Sequence, residues 1–451
     1  MQPKPLDRDV FELFQAHFDQ LLNPRHELVQ LARKVDWARF ETTFAPCYSE
    51  DMGAPAKATR LMVGLQYLKY TFNESDESVV ARWVENPYWQ YFCGFTHLQH
   101  ECPIHPTSLT RWRKRVGADR LETLLQETVA LAKREGHVSQ DDLGRVNVDT
   151  TVQEKNITPP TDSKLLYKAI QKLAAAAKSR GIELRQSYLR VGKIAAVKVS
   201  RYAHARQYQR MRRSLRKLRT YLGRLIRDIR RKASHPDPEL AALLGRADRV
   251  RQQQPHDTGK LYSLHEPEVQ CISKGKAHKR YEFGQKVAIA TTNRGNWTVA
   301  ARLLPGNPYD GHTLAETLTA VASVTGVAVT DAYVDKGYRG HGCREGVNVH
   351  VAGQRGGSRA ERKRRRRRNA VEPKIGHLKS DHRMDRCFLA GLAGDAMNAV
   401  LAAAGSNLRK LLRRLAAALI SWLRMDASTA RIRLSQPSAA TPNALCLRLC
   451  A

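Results

Sequence analysis

The pattern of apolar residues changes at Gly144, and this change divides the chain into two kinds of structure. From Arg145 to Val152 the sequence reads RVNVDTTV, an alternating β-branched run that predicts a strand. In residues 1–140, by contrast, apolar residues recur at three- and four-residue spacing, which predicts helices. The helical stretches are Val10–Leu22, Ala58–Phe72, Ser78–Phe92 and Leu121–Arg134. We therefore expect a helical N-terminal domain over residues 1–140.

Further strand patterns lie in the second half of the chain. They are Arg280–Thr291, Trp297–Leu304, Val327–Val334 and Val347–Ala352. A helical pattern covers Gly311–Ser323, and an amphipathic helix over about 395–423 should close the core. This order predicts a mixed α/β core rather than a repeated βαβ series. We assign the core to residues 141–160 and 261–425, and expect a loose tail over 426–451.

The segment between the first and second strands is strongly basic. Lys164–Lys260 contains 26 basic and 6 acidic residues, which supply +20 of the formal net charge of +33. Over about 200–232, Leu and Ile recur among arginines at helical spacing. We expect residues 161–260 to form a basic helical insertion whose centre is a helical hairpin with a thin apolar seam. A second basic tract, residues 355–368, is expected to be a mobile loop.

An excess of positive charge this large favours an anionic partner, because the charge otherwise costs self-repulsion. The candidates are nucleic acid, an anionic membrane surface and an acidic protein. The chain has no run of the roughly 18 apolar residues that a spanning helix requires. Its N-terminus also lacks the pattern of a secretion signal, so we expect a cytoplasmic protein. Binding to nucleic-acid phosphates is favoured, with a membrane surface or a calmodulin-like partner as the alternative for the basic helices.

Three acidic residues stand where a metal site could form. Asp149 lies in the first strand, Asp335 at the end of the fourth, and Glu372 near the start of a late helix. Carboxylate oxygens suit Mg²⁺ or Mn²⁺, and two such ions can catalyse a phosphoryl displacement. A carboxylate in an apolar strand is costly without a partner, which favours a site at Asp149. Asp331 is the alternative on the fourth strand, and Glu372 also matches a capping box with Asn369.

Several ordered motifs surround these carboxylates. They are Asp149-Thr150-Thr151-Val152, Ser273-Lys274-Gly275-Lys276, Tyr281-Glu282-Phe283-Gly284, Gly306-Asn307-Pro308-Tyr309-Asp310-Gly311-His312, Asp335-Lys336-Gly337-Tyr338-Arg339-Gly340, and Val371-Glu372-Pro373 with Gly376-His377-Leu378-Lys379. In these motifs, and in the N-terminal helices through Trp112, the chain resembles the DDE transposases of bacterial insertion sequences. The resemblance is to the large group related to the fifth-numbered insertion element, and it covers most of the chain.

The resemblance implies a ribonuclease H-like catalytic core. In such a core the first and fourth strands lie side by side and bring Asp149 close to Asp335, while Glu372 arrives on a helix packed against the sheet. The three carboxylates would hold two Mg²⁺ or Mn²⁺ ions. The family's last motif places an arginine four residues before the glutamate and a lysine seven residues after it, and Arg368 and Lys379 match these positions. Its tyrosine position is occupied by Arg365, a departure from the family's pattern.

The implied activity is that of a transposase that binds the terminal inverted repeats of its element, cleaves the ends and joins the 3′-hydroxyl to target DNA. Holding two ends together implies a dimer or larger assembly on double-stranded DNA, in the bacterial cytoplasm at the nucleoid. One alternative is a catalytically inactive, transposase-derived DNA-binding protein. Another is a ribonuclease H-like nuclease without strand transfer.

Basic residues in these motifs are the expected DNA contacts. Arg368 and Lys379 are candidate phosphate clamps, one through a bidentate guanidinium and the other as a point charge. Lys336 is a further candidate, and Lys274 either contacts DNA or only solubilises a turn. Asp310 either lies near the metal ions or caps the helix that follows it.

A short basic helix over residues 105–116, HPTSLTRWRKRV, carries Arg111 and Arg113. It is either the recognition helix of a helix-turn-helix or a solvated basic helix that packs on its apolar residues. Those residues are Leu109, Trp112 and Val116. Thr107 or Ser108 is its expected N-cap.

Overall fold

The computed structural model describes residues 16–49, 55–233, 235–254, 256–273, 280–343, 346–354 and 356–435. Its first part is helical, as the sequence predicts. The helices are α1 (Phe18–Leu21), α2 (Glu27–Lys34), α3 (Trp37–Phe44), α4 (Thr59–Thr71), α5 (Asp76–Glu85), α6 (Pro87–Phe92), α7 (Pro106–Arg134) and α8 (Gln140–Leu143). Residues 10–15 of the predicted helix Val10–Leu22 lie outside the described residues. The predicted helix Ser78–Phe92 is two helices, because Asn86 caps α6 and Pro87 occupies its first turn.

Helix α7 joins the basic helix and the predicted helix Leu121–Arg134 into one element. Gly117 lies at the junction with φ +80° and ψ 169°, which is not helical and kinks the element there. The predicted N-cap was wrong, since the side chain of His105 accepts the hydrogen bond from Thr107 N.

In the described part of the chain, seven strands form one mixed sheet. They are β1 (Arg145–Lys155), β2 (Gln270–Ile272), β3 (Glu282–Thr292), β4 (Thr298–Leu304), β5 (Asp331–Val334), β6 (Asn348–Val351) and β7 (Arg386–Cys387). Strand β3 lies between β1 and β4 and is antiparallel to both, whereas β5 runs parallel to β1, and β6 parallel to β5. The short strands β2 and β7, which the sequence did not predict, pair with β3 and β1. Strands β1 and β5 lie side by side, as expected.

The pairing of β1 with β3 depends on one glycine. A Cβ at Gly284 would stand 1.9 Å from the carbonyl oxygen of Gln153 and 2.7 Å from Cα of Glu154. Both are backbone atoms of β1, so no larger residue could take this position without separating the strands. In the register of β1 with β3, Asp149 lies opposite Ile289.

The remaining helices of the α/β part are α13 (Asp310–Thr325), α14 (Arg359–Arg367), α15 (Val371–Asp381) and α16 (Gly391–Ser435). The expectation of a mobile loop over 355–368 was wrong, since α14 begins at a capping box between Ser358 and Glu361. Arginine is also a good helix former. Helix α16 is longer than predicted and continues through Ser435, so residues 426–435 are not a loose tail. Residues 436–451 lie outside the described residues.

The N-terminal helices, the sheet and α16 share a single hydrophobic core. Leu65 of α4, Val148 of β1 and Leu401 of α16 belong to the same buried cluster. A Cβ at Gly405 would lie 2.6 Å from backbone and side-chain atoms of Tyr70, so α16 approaches α4 as closely as a glycine allows. The two parts of the chain are therefore packed as one body.

The insertion has a hydrophobic core of its own, built from α9 (Asp162–Ser179), α10 (Leu189–His204), α11 (Tyr208–Lys232) and α12 (Pro238–Gln252). The predicted helical hairpin is present, since α10 and α11 pack against each other on either side of the turn at 205–207. Its first arm begins at Leu189, earlier than the predicted 200, and its second arm is the single helix α11. The apolar seam of that helix is confirmed, since its buried residues recur every three or four positions. They include Leu218, Leu222, Leu225 and Ile229.

Candidate active site

Three different elements deliver the predicted carboxylates. Asp149 lies in the middle of β1, Asp335 directly follows β5, and Glu372 lies in the first turn of α15. Asp149 Oδ1 accepts a hydrogen bond from Thr150 N at 2.8 Å, and Asp335 Oδ1 accepts one from Gly337 N at 2.7 Å. The last contact makes Asp335 the N-cap of a 3-10 turn and fixes its side chain. The alternative interpretation of Glu372 as part of a capping box with Asn369 does not fit, because the N-cap of α15 is Ala370 and makes no side-chain bond.

The guanidinium of Arg368 lies among all three carboxylates. Its Nη2 is 3.3 Å from Asp149 Oδ2 and 3.8 Å from Asp335 Oδ2. Its Nη1 is 3.7 Å from Glu372 Oε1. The side chains of Arg368 and Asp149 are 13% and 16% exposed, whereas that of Glu372 is 66% exposed. The structure therefore gathers the predicted triad around one cation, in a site that opens to solvent at Glu372.

The donor set suits a hard divalent cation, because it consists of carboxylate oxygens from separate elements. Within the described ranges, no group of three His, Cys, Asp or Glu residues is arranged closely enough to hold a metal ion. At this site the three carboxylates are spaced around the guanidinium of Arg368 and not around a single metal position. The chemistry of the three carboxylates fits Mg²⁺ or Mn²⁺. In the structure, the guanidinium of Arg368 supplies the positive charge between them.

A fourth acidic residue, Asp310, lies beside this group. Asp310 Oδ1 accepts hydrogen bonds from Thr150 Oγ1 at 3.1 Å and from Lys286 Nζ at 3.0 Å. It does not cap α13, whose N-cap is Tyr309 and makes no side-chain bond. Sequence reasoning missed Lys286, although a lysine within the apolar run KVAIAT of β3 is the same kind of signal as an aspartate within β1.

The other predicted phosphate contacts occupy different surroundings. Lys379 is half-buried on α15 and lines a cavity of about 540 Å³ together with Arg383, Arg386 and the exposed ring of Phe388. Lys336 is exposed directly after Asp335. Lys274 lies outside the described residues.

The basic helix at the start of α7 carries one exposed and one buried candidate. Arg111 is exposed. Arg113 is 2% exposed, and its Nη1 and Nη2 donate to the Asp76 carboxylate at 2.9 and 2.5 Å. The predicted DNA contact at Arg113 therefore does not fit its position, because the side chain faces the protein interior. Leu109, Trp112 and Val116 are buried, as the packing alternative expects.

The Asp76 carboxyl is held ionised in this pair. Burial alone would raise its pKa, but the hydrogen bond from Arg113 and the charge of Lys69 lower the pKa to about 2. A depressed pKa stabilises the fold at pH values above the ordinary value of 3.8. That contribution is lost as the pH falls towards 2.

None of the helices in the described part of the chain is long and apolar enough to cross a membrane.

Two regions of the chain match models of transposase families. Residues 16–115 match a transposase domain (DUF772), and residues 343–412 match a transposase DDE domain. The second range contains Arg368, Glu372 and Lys379, whereas Asp149 and Asp335 lie outside both ranges.

An uncharacterized protein, ORF8 in the nfe locus of Rhizobium meliloti, is 53% identical over 208 residues. These residues are 46% of this chain and 100% of that protein. No solved structure matches the chain. Both matched family models describe transposase domains, so the protein is a transposase. The chain belongs to the DDE transposases of insertion sequences.

The contrast between Arg111 and Arg113 can be tested by single substitutions. Arg113→Met should lower the free energy of unfolding by about 3 kcal/mol, because it leaves Asp76 with one cation fewer in a buried position. Arg111→Gln should leave stability within about 0.5 kcal/mol and weaken binding to duplex DNA. Urea denaturation and fluorescence anisotropy measure the two effects. A stable Arg113→Met protein with weakened DNA binding would restore Arg113 as a DNA contact.

Proposed function

We propose that this transposase binds the terminal inverted repeats of its element, cleaves the ends and joins the 3′-hydroxyl to target DNA by two-metal phosphoryl transfer. The observation that carries the proposal is the meeting of Asp149, Asp335 and Glu372 around a single guanidinium. Carboxylates from three elements would repel one another without a cationic function at their centre.

The sheet supports a ribonuclease H-like core for this activity. Its central order is β4-β3-β1-β5-β6, with the first three strands antiparallel and the last two parallel to β1. This is the arrangement that the family resemblance implies, with the two aspartates on adjacent strands. Helix α15 brings Glu372 to the same site as the two aspartates.

Asp149, Asp335 and Glu372 would hold the two divalent ions. When bound, such ions activate a water or hydroxyl nucleophile and stabilise the departing oxygen. The protein keeps Asp149 and Asp335 oriented through the backbone N–H groups of Thr150 and Gly337. Preformed orientation of this kind lowers the cost of assembling the site during the reaction.

Arg368 would have two successive roles. In the structure its guanidinium neutralises the three carboxylates, so it competes with divalent cations for the same oxygens. Once displaced, a guanidinium at the edge of the site can bind a DNA phosphate through two parallel hydrogen bonds. Lys379, seven residues after Glu372 on α15, would contact the backbone from the same helix face.

The insertion would supply most of the sequence-independent binding to DNA. One cavity of about 370 Å³ on its surface is lined mainly by arginines. The lining residues are Arg185, Gln186, Tyr188, Arg224, Arg227, Asp228 and Arg231. Asp228 pairs with Arg231 at 2.6 Å. Arg224 and Arg227 are exposed on α11 and make no ion pair among the described residues, which suits them to phosphates.

The rival functions differ in their products. Purified protein, labelled element ends, Mg²⁺ and a target plasmid should yield joined product if the chain transposes DNA. Nicks alone would indicate a ribonuclease H-like nuclease, and binding alone an inactive DNA-binding relative. A dimer on paired ends, in the cytoplasm at the nucleoid, completes the proposal.

The triad makes a separable prediction about binding and cleavage. Asp149→Ala or Glu372→Ala should abolish Mg²⁺-dependent cleavage of element ends, while DNA affinity stays within about threefold, because neither carboxylate attracts a phosphate. Cleavage is read on gels and affinity by anisotropy. Full cleavage by either variant would contradict the assigned site.

Arg368 should oppose metal binding in the absence of DNA. A unit charge about 4 Å away contributes about 4 kcal/mol at an effective dielectric constant of about 20. Arg368→Gln should therefore tighten Mn²⁺ binding by about tenfold or more, as measured by electron paramagnetic resonance of free Mn²⁺. Arg366→Gln on the exposed side of α14 is the control and should bind as wild type. Unchanged or weaker Mn²⁺ binding by the Arg368 variant would refute the competition.

The insertion's role appears in the salt dependence of DNA binding. The double variant Arg224→Gln, Arg227→Gln should reduce the slope of log affinity against log salt by about 0.9 for each lost phosphate contact. Arg180→Gln with Arg230→Gln removes the same charge from side chains already paired with Asp237 and Asp248, and should change the slope less. Equal slopes in both double variants would show that these arginines act only through net charge.

A further inference from the structure

Asp310 has one oxygen that is fully committed and a second that faces the catalytic group. Its Oδ1 accepts from Lys286 Nζ and Thr150 Oγ1, which ties the start of α13 to β3 and β1. Lys286 Nζ also donates to the carbonyl of Pro308 at 2.7 Å. These contacts prevent the carboxylate from rotating and fix the direction of Oδ2.

The position of Gly337 shows where Oδ2 points. A Cβ on Gly337 would stand 3.0 Å from Asp335 Oδ1 and 3.4 Å from Asp310 Oδ2. Both oxygens are therefore within contact distance of one point in space. Since Asp335 already belongs to the triad, Asp310 lies at the edge of the same site.

A buried hydroxyl next to Gly337 in the chain supplies a second observation. Tyr338 is fully buried, and its hydroxyl has no hydrogen-bond partner among the described residues. Burial raises the pKa of this phenol, and the charges of Asp310, Asp149 and Asp335 raise it further. The charges of these three carboxylates therefore act on the buried hydroxyl. A bound ion or water is one explanation for a buried polar group that has no protein partner.

We propose that Asp310 is a fourth carboxylate of the metal site, which contacts a metal ion or its bound water through Oδ2. Lys286 and Thr150 are positioning residues that hold Oδ1. This inference rests on the proposed function, because it assigns Asp310 to the metal ions that Asp149, Asp335 and Glu372 would bind. The competing explanation is that Asp310 only fastens α13 to the sheet.

Metal binding separates these two roles. Asp310→Asn keeps the size of the side chain and removes its charge, and should weaken Mn²⁺ binding to the full-length protein by about 10- to 100-fold. Asp310→Glu keeps the charge and the pair with Lys286 but displaces the oxygens, so its affinity should fall between wild type and Asn. Isothermal titration calorimetry measures affinity, and thermal unfolding in EDTA reports folding.

A matched control removes a carboxylate elsewhere on the sheet. Asp331 lies four residues before Asp335 and pairs with His350 at 2.9 Å. Asp331→Asn should change Mn²⁺ affinity by less than about threefold, although it makes the same change in net charge.

The outcomes distinguish failure of this inference from failure of the proposed function. If Asp149→Asn weakens Mn²⁺ binding but Asp310→Asn does not, the inference is wrong and Asp310 only holds α13 against the sheet. The same conclusion follows if the Asp310 variants lower the unfolding temperature alone. Should Asp310→Asn fail to fold, wild-type affinity in the Asp310→Glu variant would equally overturn the inference. If Asp149→Asn also binds Mn²⁺ as wild type does, the proposed metal site itself is wrong.

Discussion

The contact between Arg368 and three carboxylates is the interaction on which the rest of the site depends. Asp149, Asp335 and Glu372 come from two strands and a helix, and their mutual repulsion opposes the packing that brings them together. A single guanidinium within 3.3–3.8 Å of each offsets that repulsion. The helical turn that precedes α15 is therefore as important to the site as the strands, since it sets the position of this cation.

Buried polar contacts hold β1 rigidly beneath the site. Gln153 Nε2 donates to the carbonyl of Asp395 at 3.0 Å, and Asn398 Nδ2 donates to Gln153 Oε1 at 3.0 Å. Lys155 pairs with Asp395 at 3.0 Å. Tyr70 of α4 donates to Asn398 in turn. Because every partner is buried, breaking one contact would leave an unsatisfied group, so the network favours one arrangement of strand and helices.

The sequence was informative where a residue contradicted its surroundings. An aspartate in an apolar strand indicated Asp149, and ordered motifs indicated Asp335 and Glu372. The burial of Arg113 could not be predicted from the sequence, because it depends on the ion pair with Asp76 in another helix. The helix α14 was missed because its charge suggested a loop. The Ser358 capping box orders it, and so do hydrogen bonds from the side chains of Asn147 and Asn293 to its backbone carbonyls. The partners of Asp310 also come from distant strands, so its spacing left two interpretations open.

The shared core of the N-terminal helices and α16 constrains how transposases of this type can diversify. Tyr70 contacts Gly405 and Asn398 across an interface that tolerates little change in side-chain volume. Exchanging the first hundred residues between related elements would place unmatched side chains in that interface. Descendants with new DNA preferences are therefore expected to arise through substitutions on exposed helix faces, such as that of Arg111, rather than by shuffling whole domains.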